Sequence, residues 1–78
     1  MNKERRKRLE DLIDQLGTIK DDIEALMNEE QEAFDNMPEG IQSSERGAAM
    51  QENIDNLQTA IDSLESEVID YIQGVIDA

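Results

Sequence analysis

Cysteine, histidine and tryptophan are absent from the 78 residues, and proline, phenylalanine and tyrosine occur once each. Without cysteine there is no disulfide to staple a small fold and no thiolate for redox or nucleophilic chemistry. Without histidine there is no imidazole to hold a metal or move a proton near neutral pH. Ser43, Ser44, Ser63 and Ser66 therefore lack a base to activate them, and the glycines form no phosphate-cradling loop. Neither an enzyme nor a cofactor-binding protein is expected. Long apolar runs are missing too. The basic start is followed by an amphipathic stretch, so neither a signal peptide nor a membrane span is expected. Lack of cysteine suits a reducing compartment, and the chain reads as a soluble cytoplasmic protein.

Positive charge is scarce: seven lysines and arginines face twenty acids, a net charge of −13. The distribution is uneven. Lys3, Arg5, Arg6, Lys7 and Arg8 stand against Glu4 alone, giving the first eight residues +4, whereas the rest has only Lys20 and Arg46 against nineteen acids. Such a body repels phosphates, so direct nucleic-acid binding by it is not expected.

What is present in abundance is helical periodicity. From Leu9 the apolar residues step by three and four through Leu12, Leu16, Ile19, Ile23 and Leu26, an a/d repeat, with Ile13, Met27 and Phe34 adding a row at e. The one break in the a row is Glu30. After Asn36-Met37-Pro38-Glu39-Gly40 the pattern resumes as Met50, Ile54, Leu57, Ile61, Leu64, Val68, Tyr71 and Val75. Pro38 disfavours helix at Met37, Gly40 permits a positive φ, and Ser43 or Ser44 offers an N-cap. The expectation is an all-α, single-domain, antiparallel two-helix hairpin: helix 1 over about 3–35, a turn over about 36–43 and helix 2 over about 44–76. In it Tyr71 is a core residue, Ile23 lies near Leu57, and Arg46 is placed to tie acids across the corner.

A fold of this size buries too little surface to be robust alone. Ile69, Ile72 and Ile76 make the last turns apolar over much of their circumference, which points to contact with another chain. Two hairpins closing a four-helix bundle as a homodimer is the economical solution. The self-association residues are thus the two stripes together with Ile69, Ile72 and Ile76.

The acids invite comparison with all-α magnesium-dependent nucleotide hydrolases. Glu29, Glu30 and Glu32 lie at the opposite end of an antiparallel pair from Glu65, Glu67 and Asp70, however, so they cannot converge, and no metal site is expected. Outward-facing Asp14, Asp21, Asp22, Glu24, Glu52, Asp55, Asp62 and Glu65 are candidate partner-binding residues, since carboxylates at helical spacing can imitate a phosphate backbone; their plainer use is solubility. The cluster Lys3, Arg5, Arg6, Lys7 and Arg8 opposes the dipole at its own helix start. The expected roles are neutralising the acidic end of helix 2, a basic patch that docks an acidic partner or nucleic acid, or contact with a membrane surface.

The turn Asn36-Met37-Pro38-Glu39-Gly40-Ile41-Gln42-Ser43-Ser44-Glu45-Arg46, with the Ala60-Ile61-Asp62-Ser63-Leu64-Glu65 segment, resembles a pattern in small acidic helical proteins of bacteriophages and prophages. Those proteins share an N-x-P-E-x-x-Q-x-S-E-R turn. The resemblance covers about half the chain and implies a mobile-element origin, hence a protein that binds a host or viral component. It implies no catalytic residue. Two roles follow as expectations: an inhibitor that occupies a host nucleic-acid-handling or defence protein with its acidic face, or a structural assembly protein with no inhibitory role.

Overall fold

A computed structural model describes all 78 residues, and every regular element in it is helical. Helix α1 (Lys3–Asp35) starts at Asn2, whose side chain accepts the Arg5 N–H at 2.8 Å and satisfies one of the orphan donors of the first turn. It stops ahead of Pro38, where the Asn36 N–H closes the last turn onto Glu32. The connection is not irregular: Glu39–Gln42 form a one-turn helix, α2, which begins directly after Pro38. No glycine in the chain has a positive φ, so Gly40 sits in helical backbone and the reversal is made by α2 itself.

Of the two candidate caps, Ser44 starts α3 (Glu45–Ser63), accepting the Gly47 N–H at 3.4 Å. Ser43 instead donates its hydroxyl back to the Glu39 carbonyl. Gly47 is buried where α3 crosses the end of α2; a Cβ there would overlap the carbonyls of Gln42 and Ile41. Gln42 fixes the other side of the corner, donating to the Phe34 carbonyl at 2.9 Å. Arg46 makes no ion pair across it.

From α3 the chain continues without a break through a π-helical segment (Leu64–Ile69) into α4 (Asp70–Asp77). The Asp70 N–H reaches back five residues to Glu65, which accommodates one extra residue in the turn. This return arm lies alongside α1: Lys20 meets Glu65 at 2.9 Å, and the Arg6 guanidinium donates to the Ala78 backbone oxygen at 3.1 Å. The result is a rod of 58 × 16 × 12 Å, a single layer of two helices. Its radius of gyration is 17.4 Å, where a compact domain of this length has about 11.5 Å. Only Ile54, Ile61 and Gly47 are buried.

Along the seam between the arms, α1 contributes Leu9, Ile13, Leu16, Ile23, Met27 and Phe34, all partly covered. These are the a and e rows, so the a/d seam expected from periodicity is corrected: the d row flanks the seam and stays about half exposed. On that arm Ile54 and Ile61 are buried in the seam, and Met50, Leu57 and Leu64 lie partly covered at its edge. From the last residue of the π segment onward the inward row is Ile69, Ile72 and Ile76. The expected continuation through Val68, Tyr71 and Val75 is therefore overturned, because the extra residue rotates everything after it by about one position. Tyr71, expected in the core, is 71% exposed.

Candidate protein-interaction face

Helical geometry puts the residues left out of the seam on one side of the layer. On α1 the d row of Leu12, Ile19 and Leu26 is 47%, 50% and 62% exposed. At about 3.6 residues per turn it flanks the a/e seam on one side only, the other flank carrying Glu10, Glu24 and Gln31. On the return arm the partly covered Leu57 and Leu64 flank their seam on the same side, and Val68 in the π segment with Tyr71 and Val75 in α4 lie exposed further round. The groove lined by Leu26, Glu29, Glu30, Asn53, Asn56 and Leu57 shows the two flanks meeting. It also sets Leu57 beside Leu26, a turn closer to the bend than the expected pairing with Ile23. At the other end Met1, Arg5, Arg8, Leu9 and Leu12 line a second groove.

Each arm thus carries an exposed apolar row, Leu12, Ile19 and Leu26 on α1 and Val68, Tyr71 and Val75 on the return arm, while the groove near the bend is lined mainly by polar side chains. Exposed apolar rows of this extent on a monomer mark an interaction surface. The accessible area gives the scale. The chain exposes 5705 Å², against about 4800 Å² for a compact monomer of 8.9 kDa. The excess of about 900 Å² is close to what one partner contributes to a standard protein–protein interface, about 800 Å².

Glu30 is half-covered at the rim of the first groove rather than free in water. On the polar face Lys20 occupies an e position in the seam, and its hydrogen bond and opposite charge from Glu65 raise its pKa above the ordinary lysine value, with Asp21 and Glu24 adding to the effect. The structure therefore gathers Lys20, Asp21, Glu24 and Glu65 at one place.

The candidate partner-binding acids separate by what their side chains do. Asp55 and Asp62 accept hydrogen bonds from Gln51 and Gln58 one turn before them, at 3.2 and 3.0 Å. Gln31–Asp35 and Gln73–Asp77 repeat the arrangement. Such pairs support a helix by about 0.2–0.5 kcal/mol each; the recurrence of glutamine four residues before aspartate was the available sequence signal. Glu65 is held by Lys20. Asp14, Asp21, Asp22, Glu24 and Glu52 are exposed and form no hydrogen bond or ion pair through their carboxylates. No group of three or more potential metal ligands is brought together.

The basic residues separate as well. Arg6 lies against the end of α4, where a cation complements the negative end of the dipole, and its Nε is buried with no partner. Lys7 is 3.9 Å from Asp11 in an exposed pair one turn apart, worth little on its own. Arg5 and Arg8 border the second groove, and Lys3 is exposed. No helix is long and apolar enough to cross a membrane.

Comparison with protein-family models, with curated proteins and with solved structures gives no match to this chain.

Proposed function

We propose that the protein is a non-catalytic helical protein-binding protein: a two-helix hairpin that pairs as a homodimeric four-helix bundle and acts by binding another protein. The observation that carries this reading is the pair of exposed apolar rows, Leu12, Ile19 and Leu26 on one arm and Val68, Tyr71 and Val75 on the other. A small fold with two buried side chains has little stability to spare, and a second layer supplies the burial that one layer lacks. With that face closed, the outer surface is left as the working surface in the bacterial cytoplasm. Asp14, Asp21, Glu24 and Glu52 supply carboxylates at helical spacing there, none of them committed within the chain, while Asp22 borders the closed face. The phage-like turn motif supports a mobile-element origin, and the inhibitor version of the function follows: the acidic surface occupies a host nucleic-acid-handling or defence protein. A second reading, an assembly protein without inhibitory role, is favoured by the employment of Asp55, Asp62 and Glu65 inside the chain, which makes part of the acidity structural.

The experiment is capture from bacterial lysate by the immobilised full chain, with duplex DNA as competitor. The matched variant carries asparagine or glutamine at Asp14, Asp21, Glu24 and Glu52. Capture of a nucleic-acid-handling protein that DNA displaces and the variant loses supports the inhibitor reading. Capture indifferent to both, or none, leaves assembly. A fully helical monomer at tens of micromolar by sedimentation equilibrium sinks both.

A further inference from the structure

We propose that the occupant of the apolar face is a second copy of this chain in antiparallel orientation, related by a two-fold axis that passes between the Ile19 side chains of the two copies. The inference rests on the homodimer reading above and adds its geometry.

Two independent patterns locate the axis. On α1 the exposed apolar row is Leu12, Ile19 and Leu26, symmetric about Ile19. A two-fold perpendicular to the rod at Ile19 lays Leu12 of one copy on Leu26 of the other and Ile19 on itself. The return arm has its own pattern. The Lys20–Glu65 bridge sets the register between the arms and carries the level of Ile19 across to Ser66. Leu57 and Val75 lie nine residues either side of Ser66, and Leu64 and Val68 lie two. One axis therefore pairs Leu57 with Val75 and Leu64 with Val68 across the copies. The π segment is what aligns the two halves of this pattern, since it turns Val68, Tyr71 and Val75 onto the open face.

Charge selects the same orientation. The row flanking Leu12, Ile19 and Leu26 on the outer side reads Arg8, Gln15, Asp22 and Glu29. In antiparallel helices a flanking row faces its own copy, so Arg8 meets Glu29 of the second copy and Gln15 meets Asp22, each twice by symmetry. The groove bordered by Arg5 and Arg8 then lies over the groove bordered by Glu29 and Glu30. Four-helix packing with the axis along the rod would instead stack the two basic ends on each other and leave the two acidic bends together, a like-charge arrangement at both ends. The basic start and the interruption at Glu30 find one explanation here: they mark opposite ends of a face that reads correctly in one direction only.

The wild-type chain has no cysteine, so single introduced thiols report clean proximities. In the full-length chain, a short bifunctional thiol cross-linker is expected to join I19C to itself, to join neither L12C nor L26C to itself, and to join L12C to L26C when the two are mixed. All three sites are about half exposed in one copy, so the variants keep the fold. Sedimentation equilibrium is the second measurement. Arg8→Glu is expected to weaken self-association about tenfold, as is Glu29→Arg, with the double exchange returning to within about threefold of wild type. A dimer in which I19C fails to link, or in which the double exchange is no better than either single one, overturns the antiparallel arrangement and leaves the homodimer reading standing. A helical monomer at all accessible concentrations overturns both.

Discussion

Gly47→Ala sets two effects of known sign against each other. Alanine is the better helix former, by about 0.8–1.0 kcal/mol in a helix interior. Gly47, however, is buried where α3 passes the end of α2, and a Cβ there would overlap the Gln42 carbonyl and lie 2.7 Å from the Ile41 oxygen. Backbone oxygens cannot swing aside as a flexible side chain does, so α2 must shift as a unit. Overpacking of this kind costs about 1–3 kcal/mol. The shift also strains the Gln42 hydrogen bond to Phe34 and the Ser44 cap, each worth about 1 kcal/mol. The net expectation is destabilisation by about 2 kcal/mol, or a fall in Tm of about 10 °C for a chain of this size. Gly17→Ala is the control: nothing lies within 4 Å of its Cβ position, so propensity acts unopposed and stability rises by up to about 1 kcal/mol. Thermal and urea unfolding followed by circular dichroism, at one fixed protein concentration, measures both. If Gly47→Ala proves as stable as Gly17→Ala, the corner is not held by close backbone approach and the reasoning fails.

Further predictions concern the seam, the π segment and pH. Ile61→Ala, at a site 7% exposed, is expected to cost about 2–4 kcal/mol at any protein concentration; urea midpoints measure it, and a cost below 1 kcal/mol would mean the seam is not the core. Leu26→Ala is expected to cost little in dilute solution and more as concentration rises, because the proposed dimer puts its contacts mainly with the second copy; a cost independent of concentration contradicts the proposed face. Deletion of Glu67 removes the extra residue, so the arm is expected to become α-helical throughout with Ile69, Ile72 and Ile76 still inward and stability equal or higher; loss of helicity by circular dichroism contradicts that account of the register. The raised Lys20 pKa fixes a sign. The stability it contributes is fully present below the ordinary lysine value of 10.5 and is lost as pH rises through the higher folded value. Wild type should therefore lose stability relative to Lys20→Met above that pH, and parallel pH profiles for the two would remove Lys20–Glu65 as a contributor.

The all-helical class was legible because apolar residues three and four apart leave little choice of period, and Pro38 was legible as the break because helix is disfavoured before it. Which apolar row faces which neighbour was not. On α1 three adjacent rows are apolar: Leu9, Leu16 and Ile23, then Leu12, Ile19 and Leu26, then Ile13 and Met27. A periodicity count cannot divide them between a partner within the chain and one outside it. Lys20 held the hint: it sits in the e row, so that row must run at the edge of a seam where a carboxylate waits, and Glu65 is that carboxylate. The turn misled for a different reason. Gly40 suggested a positive φ, but a turn of helix after proline reverses the chain with no such demand, and the glycine that geometry requires is Gly47.

The π segment joins the misread register to the proposed function. After Leu64 the sequence offers two rows at equally good spacing, Val68, Tyr71 and Val75, or Ile69, Ile72 and Ile76. In one layer the seam takes the isoleucines, which carry no polar atom to satisfy, while a tyrosine hydroxyl turned inward would need a partner the seam lacks. Taking the isoleucines requires one turn of wider helix, and its cost is a less favourable hydrogen-bond geometry over Leu64–Ile69. A chain with nothing to gain from the other row would carry polar residues there and avoid apolar exposure. Instead the displaced row is a valine, a tyrosine and a valine, continuous with Leu57 and Leu64 and level with Leu12 and Ile19 on α1. Two apolar rows on the last turns serve two contacts. The bulge assigns the isoleucines to the contact within the chain and leaves Tyr71, whose hydroxyl suits a partly wet boundary, exposed for the second copy in the proposed dimer.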